Sequence, residues 1–419
     1  MNCYLAYKDS QLVWVGEIPH HWRTIKFRYL SQESRRKNDD DVDREMLSLS
    51  SYTGVQLKQY EYENTKRTKD ESLTYLVVEP NQLVVNPMWQ MKRSIGVSYL
   101  HGIVSPGYRV YFVDLERLVP QYLHHLMRSD NYVDEYNKHV RGATTYDRSV
   151  KKEDFEEIGV LLPPKEEQAQ IANFLDHKTA QIDELIRAKE RKMELLGEYR
   201  ASLINQAVTK GLDADVEMKP SGVDWIGEIP KHWTISKVKH ELESLDYLRV
   251  PLNSETRGSL KSKVYDYYGA SGVIDKVETY IFDEPLILIG EDGANLYLRS
   301  TPLAFKATGK YWVNNHAHVL RPKYGNIDYL TNILESLDYT HYISGAAQPK
   351  LTAGRLMNIV VVIPPLSEQN QIADFINRKA KQIDELRSNE EGAIKLLKEY
   401  RQSLISEVVT GKIDVRGEA

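Results

Sequence analysis

Cationic, amide, imidazole and aromatic side chains gather at four places along this chain. Lys92 and Arg93 follow Asn86 and Trp89, and Tyr108 lies shortly after them. Arg141, Thr144, Thr145, Tyr146 and Arg148 form a second cluster. Asn314, Asn315, His316 and His318 form a third, and Gln348 with Lys350 a fourth. Such groups can address the edges of nucleobases. Arg and Lys reach guanine acceptors, Asn and Gln match adenine, and aromatic rings supply packing area. The clusters lie beside turns, where side chains can project into a groove. A solvated face is the plain alternative for any one of these residues. His316 and His318 could also share one face of a strand and bind a metal. No third ligand lies near them in sequence, so hydrogen-bonding or base-contacting histidines are expected and no metal site is.

Other chemistry is missing from the pattern. Gly309-Lys310 lacks the upstream glycine and the following Ser/Thr of a phosphate loop, and no G-x-G-x-x-G, H-E-x-x-H or EF-hand pattern occurs. No catalytic residue and no cofactor are expected. Asn86-Pro87-Met88-Trp89 resembles the Asn-Pro-Pro-aromatic loop of DNA adenine methyltransferases, but no glycine-rich cofactor loop accompanies it. A self-contained DNA-modifying enzyme, methyltransferase or endonuclease, is therefore the alternative reading.

The net charge over 419 residues is −5, divided almost evenly along the chain. A generic polyanion binder usually shows a basic excess. If nucleic acid is the partner, positive charge must be local, or another subunit must make many of the phosphate contacts. Tyrosine outnumbers phenylalanine 27 to 7, which suits interfaces and half-buried strands equally. Cys3 is the only cysteine, which excludes an intrachain disulfide and fits a reducing cytoplasm. No apolar run approaches the roughly 18 residues of a membrane span, and the first residues lack a signal-peptide core.

The elements that must position these clusters are announced by a repeat. Pro163-Pro164, Glu167-Gln168, Gln170-Ile171-Ala172, Gln181-Ile182-Asp183-Glu184-Leu185, Glu198-Tyr199-Arg200 and Ser202-Leu203-Ile204 return as Pro364-Pro365, Glu368-Gln369, Gln371-Ile372-Ala373, Gln382-Ile383-Asp384-Glu385-Leu386, Glu399-Tyr400-Arg401 and Ser403-Leu404-Ile405. The offset is constant and about half the aligned positions are identical, a level chance does not give. A second echo precedes each copy: Trp14, Gly16-Glu17-Ile18-Pro19 and His21-Trp22 return as Trp225, Gly227-Glu228-Ile229-Pro230 and His232-Trp233. Between the echoes the halves differ.

Each repeated segment reads as a helix of about 40 residues, about 60 Å long. Leu175, Ile182, Leu196 and Leu203 share one heptad position, with Leu185 and Tyr199 at the second. Ile376, Ile383, Leu397 and Leu404 match them, with Leu386, Ala393 and Tyr400. Such seams most simply bury each other as a coiled coil. The Pro-Pro pairs mark helix starts, and Thr209-Lys210-Gly211 and Thr410-Gly411-Lys412 mark the stops. The remaining segments look mixed α/β, with strands at residues 76–78, 83–85, 110–113, 158–162, 286–289, 318–320 and 359–363. The fold class is α/β (α+β). Mixed head domains at 1–162 and 214–363 alternate with helical segments at 163–213 and 364–419. If the helices run antiparallel, the last residues should lie where they would lead into the first, making the chain pseudo-circular with a pseudo-two-fold.

In this order of parts the chain resembles the specificity subunits of type I restriction–modification systems. The resemblance rests on the Trp-x-Gly-Glu-Ile-Pro-x-His-Trp openers, the helical motifs, residues 312–320 and Gln348-Pro349-Lys350-Leu351, and it covers essentially the whole chain. It implies two target-recognition domains, each reading half of a bipartite double-stranded DNA target. It implies helices that separate these domains and bind two methyltransferase subunits, with restriction (translocase) subunits joining through the complex. Catalysis would belong to those partners.

Overall fold

The computed structural model describes residues 3–39, 43–60, 72–141, 148–223, 226–345 and 348–417. It divides into two compact units, one of Met1–Glu190 with Glu391–Ala419, the other of Arg191–Glu390. Among the described residues no helix is long and apolar enough to cross a membrane.

Two helices dominate, Lys165–Lys210 and Leu366–Val409. Both start directly after a Pro-Pro pair, because proline fits the first helical turn and disrupts what precedes it. Each unit contains a stretch of both helices, paired antiparallel. In the first unit Asp183 meets Arg401, and Glu190 meets Lys398. In the second unit Lys192 meets Glu390, and Arg200 meets Asp384.

Part of the expected seam is buried. Leu175, Ile182, Ile376, Ile383 and Leu404 are inside, whereas Leu185, Tyr199, Leu386 and Tyr400 are about half exposed. Ile186 and Ile394, one position beyond the expected second row, are buried instead. A helix of 3.6 residues per turn drifts from a strict heptad by about 20° per repeat, which rotates that row outward.

The first head is built on a four-stranded antiparallel sheet. Its order is Ser31–Ser34, Arg109–Val113, Leu83–Val85, Ile95–Val97. The second head has its counterpart, ordered Leu242–Ser244, Ala317–Pro322, Leu286–Gly290, Ala304–Ala307. The continuous apolar runs Leu83-Val84-Val85 and Leu286-Ile287-Leu288-Ile289 are fully buried in these sheets. The second head adds another four-stranded sheet, in which Tyr265–Gly269 runs parallel to Lys310–Val313. Each head is closed by pairing its start with its end. Arg23–Lys26 pairs with Gly159–Leu162, and Thr234–Lys237 pairs with Val360–Ile363.

The repeated Glu-Gln dipeptide fastens each helix start to its head. Glu167, 5% exposed, accepts the Trp22 indole N–H at 3.0 Å and the Tyr4 hydroxyl at 2.6 Å, and its other oxygen lies 2.7 Å from His21 Nε2. Glu368 accepts the Trp233 indole N–H at 2.9 Å and lies 2.6 Å from His232 Nε2. Gln168 accepts the Val119 N–H, which starts the helix Pro120–Met127, and its amide donates to the Pro163 carbonyl. Gln369 does the same with Asn326, ahead of the helix Ile327–Ser336, and with Pro364.

The helix exits also match. Gly211, with φ +78°, packs on Trp233, and Gly411, with φ +73°, packs on Pro19 and Trp22. Lys412 Nζ donates to the Glu17 carbonyl at 2.7 Å. Within the first unit the end of the second helix thus reaches the opening motif as the first helix reaches Trp233 in the second.

Candidate nucleic-acid interface

In the second head, Leu286–Gly290 and Ala317–Pro322 are hydrogen-bonded neighbours. Their adjoining loops, Glu291-Asp292 and Asn314-Asn315-His316, meet at one end of the sheet. Residues 348–351 cross this corner. Leu351 N–H donates to the Glu291 carbonyl at 2.8 Å, and Gly293 N–H to the Pro349 carbonyl at 3.1 Å. The third and fourth sequence clusters are therefore one site.

Its side chains divide into a buried support and an exposed rim. His318, 1% exposed, has Nδ1 at 2.6 Å from Asp246 and Nε2 at 2.7 Å from the Leu351 carbonyl. Both ring nitrogens are occupied inside the head, so His318 fixes the crossing segment and presents no edge outward. Asn314 is buried, and its side-chain oxygen accepts the His316 N–H at 2.8 Å. Asn315, His316, Gln348 and Lys350 are exposed. His316 Nδ1 lies 2.9 Å from Asp292. Lys350 Nζ lies 3.1 Å from Glu291, whose other oxygen takes Arg249 at 2.5 Å. Burial alone would raise the Glu291 and Asp246 carboxyls. The Arg249 bond with the His318 and Lys350 contacts holds Glu291 below its ordinary value, and His318, the Val319 N–H and Arg249 do so for Asp246.

The first head presents a corresponding corner. Residues 86–93 follow Leu83–Val85, and Tyr108 precedes the neighbouring strand Arg109–Val113. Val150 N–H donates to the Pro87 carbonyl at 3.2 Å, in the role Leu351 has at Glu291. Arg109 donates to the Val150 carbonyl at 3.1 Å. Burial raises the pKa of the Tyr108 hydroxyl, and the neighbouring Asn86 side chain opposes that rise. Trp89 is 39% exposed, with Lys92 Nζ 4.8 Å from its ring centre. Arg93 adopts φ 61° and pairs with Asp130. Arg141, opposite Ser149 in a short strand pair, bonds Asp154 at 3.0 Å, and Arg148 is exposed. Thr144, Thr145 and Tyr146 lie outside the described residues.

Four supporting residues carry no sequence signal of their own. Arg128, 6% exposed, donates to the carbonyls of Arg93 and Ile95, each at 2.6 Å, and of Ser51 at 3.0 Å. It pins the 86–93 loop to the hairpin Leu47–Ser50/Gly54–Leu57. Arg249, Asp246 and Glu291 do the equivalent work in the second head. Glu291-Asp292-Gly293 reads in sequence only as a turn. The corners offer amide, cationic, imidazole and indole groups on rigid supports, an inventory suited to base edges and phosphates.

Comparison with known proteins bears on these corners. Residues 247–395 match the type I restriction modification DNA specificity domain. The chain is 20% identical over 429 aligned residues, 96% of each chain, to a putative type I restriction enzyme MjaX specificity subunit of Methanocaldococcus jannaschii. It is 36% identical over 112 residues to a putative type I restriction enzyme specificity subunit of Haemophilus influenzae, a match spanning 26% of this chain and 29% of that protein. In fold it is similar to a chain from a structure described as the basis of complex assembly and conformational transition of the type I R-M system. The TM-score is 0.71 at 15% identity, over 94% of this chain and 99% of that one.

Proposed function

We infer that the chain is the DNA specificity subunit of a type I restriction–modification complex, and that its two heads read the halves of a bipartite duplex target. The observation that supports this best is the pair of equivalent corners. The frame is repeated, the sheets have one order, and the rims carry different side chains. A constant support with variable rims is what two independent readers require.

The helices recruit two methyltransferase subunits, and restriction subunits join through the complex. Leu185, Leu195 and Tyr199 of the first helix and their repeats Leu386, Leu396 and Tyr400 of the second are exposed, which supports an equivalent use of the two helices in docking. The chain itself is non-catalytic, works in the cytoplasm, and leaves methyl transfer to its partners. The near-even charge supports an assembly in which partners supply much of the phosphate contact.

The test is a head exchange. Replacing residues 1–162 by the matching domain of another specificity subunit should change one half of the methylated target and leave the other half intact. A change in both halves would overturn independent reading. A methyl-transfer assay on the purified chain alone decides against the self-contained enzyme if it is silent.

A further inference from the structure

The two Glu-His-Trp clamps differ in one respect. In the first unit Tyr4 completes the clamp, 5% exposed, with its hydroxyl on Glu167 at 2.6 Å. Its ring centre lies 5.8 Å from that of His21 and 5.9 Å from that of Trp22, and the Arg416 guanidinium sits 4.8 Å over its face. In the second unit the position aligned with Tyr4 by the opening echo is Asp215, which is exposed. Among the described residues, Glu368 receives only the Trp233 and His232 side chains. Its side chain is 34% exposed, against 5% for Glu167.

A cavity of about 370 Å³ occupies this place, lined by Lys210, Asp213, Val216, Pro230, His232 and Glu368 among others. Small-ligand sites commonly span about 300–1,000 Å³. Asp213, His232 and Glu368 correspond through the repeats to Asp414, His21 and Glu167; in the first unit His21 and Glu167 contact Tyr4, and Asp414 holds the Arg416 that covers its ring. The first unit therefore shows what this geometry accepts. It takes a flat ring against imidazole and indole edges, a hydroxyl donating to the carboxylate, and a cation over the ring face. The repeat counterpart of Arg416 is Asp215, and in the second unit Lys210 of the cavity lining is a cation available to a bound ring.

We propose that the cavity at Glu368 and His232 binds a phenol-type group, a planar aromatic ring carrying a hydroxyl donor. Two sources share this chemistry, a free small phenol and a tyrosine side chain of a partner polypeptide. The site does not depend on the DNA-reading assignment, since it stands on the internal comparison alone.

The experiment titrates the full chain with p-cresol while following the indole N–H resonances of Trp22 and Trp233 by NMR. The Trp233 signal should shift saturably at millimolar p-cresol and the Trp22 signal should not. Toluene, which lacks the hydroxyl, should bind at least about tenfold more weakly, the equivalent of about 1.4 kcal/mol. Val216→Phe, which fills the cavity, should abolish the shift while the Trp233 resonance shows the clamp still folded. Equal binding of toluene, or no Trp233 response, would overturn the proposal. A response that persists undiminished in Val216→Phe would place binding elsewhere and overturn it as well. Repeating the titration on the complex co-purified with its modification subunits separates the sources. Loss of the response identifies a partner's tyrosine as occupant, and its retention identifies a free phenol. This last arm alone rests on the assembly reading.

Discussion

Asp183 receives the Arg401 guanidinium through Nε at 3.0 Å and Nη2 at 3.3 Å. The repeat generates a reciprocal pair, Arg200 with Asp384, whose nearest approach is 4.0 Å. The first pair is desolvated, at 10% and 23% exposure, and the second is open, at 40% and 62%. Tyr52 of the first head accounts for the difference. Its hydroxyl donates to Asp183 and its ring lies 4.6 Å below Arg401. Burial and the Asp183 hydrogen bond push the Tyr52 hydroxyl up to about 12.

Arg401→Ala should therefore destabilise the first unit by about 2 kcal/mol or more, because it leaves a shielded carboxylate short of donors. Arg200→Ala, from the same motif, should cost less than about 1 kcal/mol. Urea unfolding of the two variants side by side checks the asymmetry.

The two exit glycines should also respond unequally. A side chain at either positive φ costs about 1–2 kcal/mol. At Gly211 the added Cβ meets Trp233 at 3.2 Å, whereas at Gly411 it runs into the Pro19 ring as well as Trp22. Gly411→Ala should lower the thermal midpoint of its unit more than Gly211→Ala lowers that of the other, as followed by tryptophan fluorescence.

Acid should loosen the second head. Glu291 and Asp246 are held below their unfolded carboxyl values despite burial, by Arg249, Lys350, His318 and the Val319 N–H. A depressed folded pKa contributes stability above the unfolded value of about 4, lost as pH falls through the folded one. Stability measured from pH 7 to pH 3 should fall below about pH 4. Glu291→Gln should be less stable at neutral pH and lose less on acidification.

At the corners, replacing a base-reading side chain should relax one base position and cost about 1–3 kcal/mol, whereas loss of a phosphate contact weakens all sequences alike. Alanine at Asn86, Lys92, Asn315, His316 and Lys350, assayed in the assembled complex on single-base target variants, separates these outcomes. His318→Ala should instead lower stability along with binding, because its nitrogens hold the 348–351 segment from inside. Intact affinity and base preference in all five rim variants would remove the corners as readers.

The frame was legible because its signals are local. Pro-Pro starts, the recurrence of Glu-Gln and His-Trp, and the runs at Leu83 and Leu286 each describe their own surroundings. The second seam row differs because a heptad count ignores helical drift, so Leu185 and Tyr199, which the count puts inside, lie outside. The corners were only partly legible. Residues 314–318 and 348–350 read as separate clusters, and nothing in sequence says that Leu351 bonds to Glu291. Arg128, Arg249 and Asp246 act by closing distances across the chain, which no spacing rule encodes. The fate of His318 shows the same limit, since the His-x-His spacing is blind to which face is buried.

The division of the chain also sets the order in which the two units can be completed during synthesis. The unit of Arg191–Glu390 is one uninterrupted stretch, while the other needs Glu391–Ala419 to complete what Met1–Glu190 begins. On a ribosome the later head can finish first. The earlier one waits with Asp183 and Pro19 uncovered until Arg401 and Gly411 emerge. A premature stop near residue 390 would thus spare the later head and expose the earlier one to quality-control proteases.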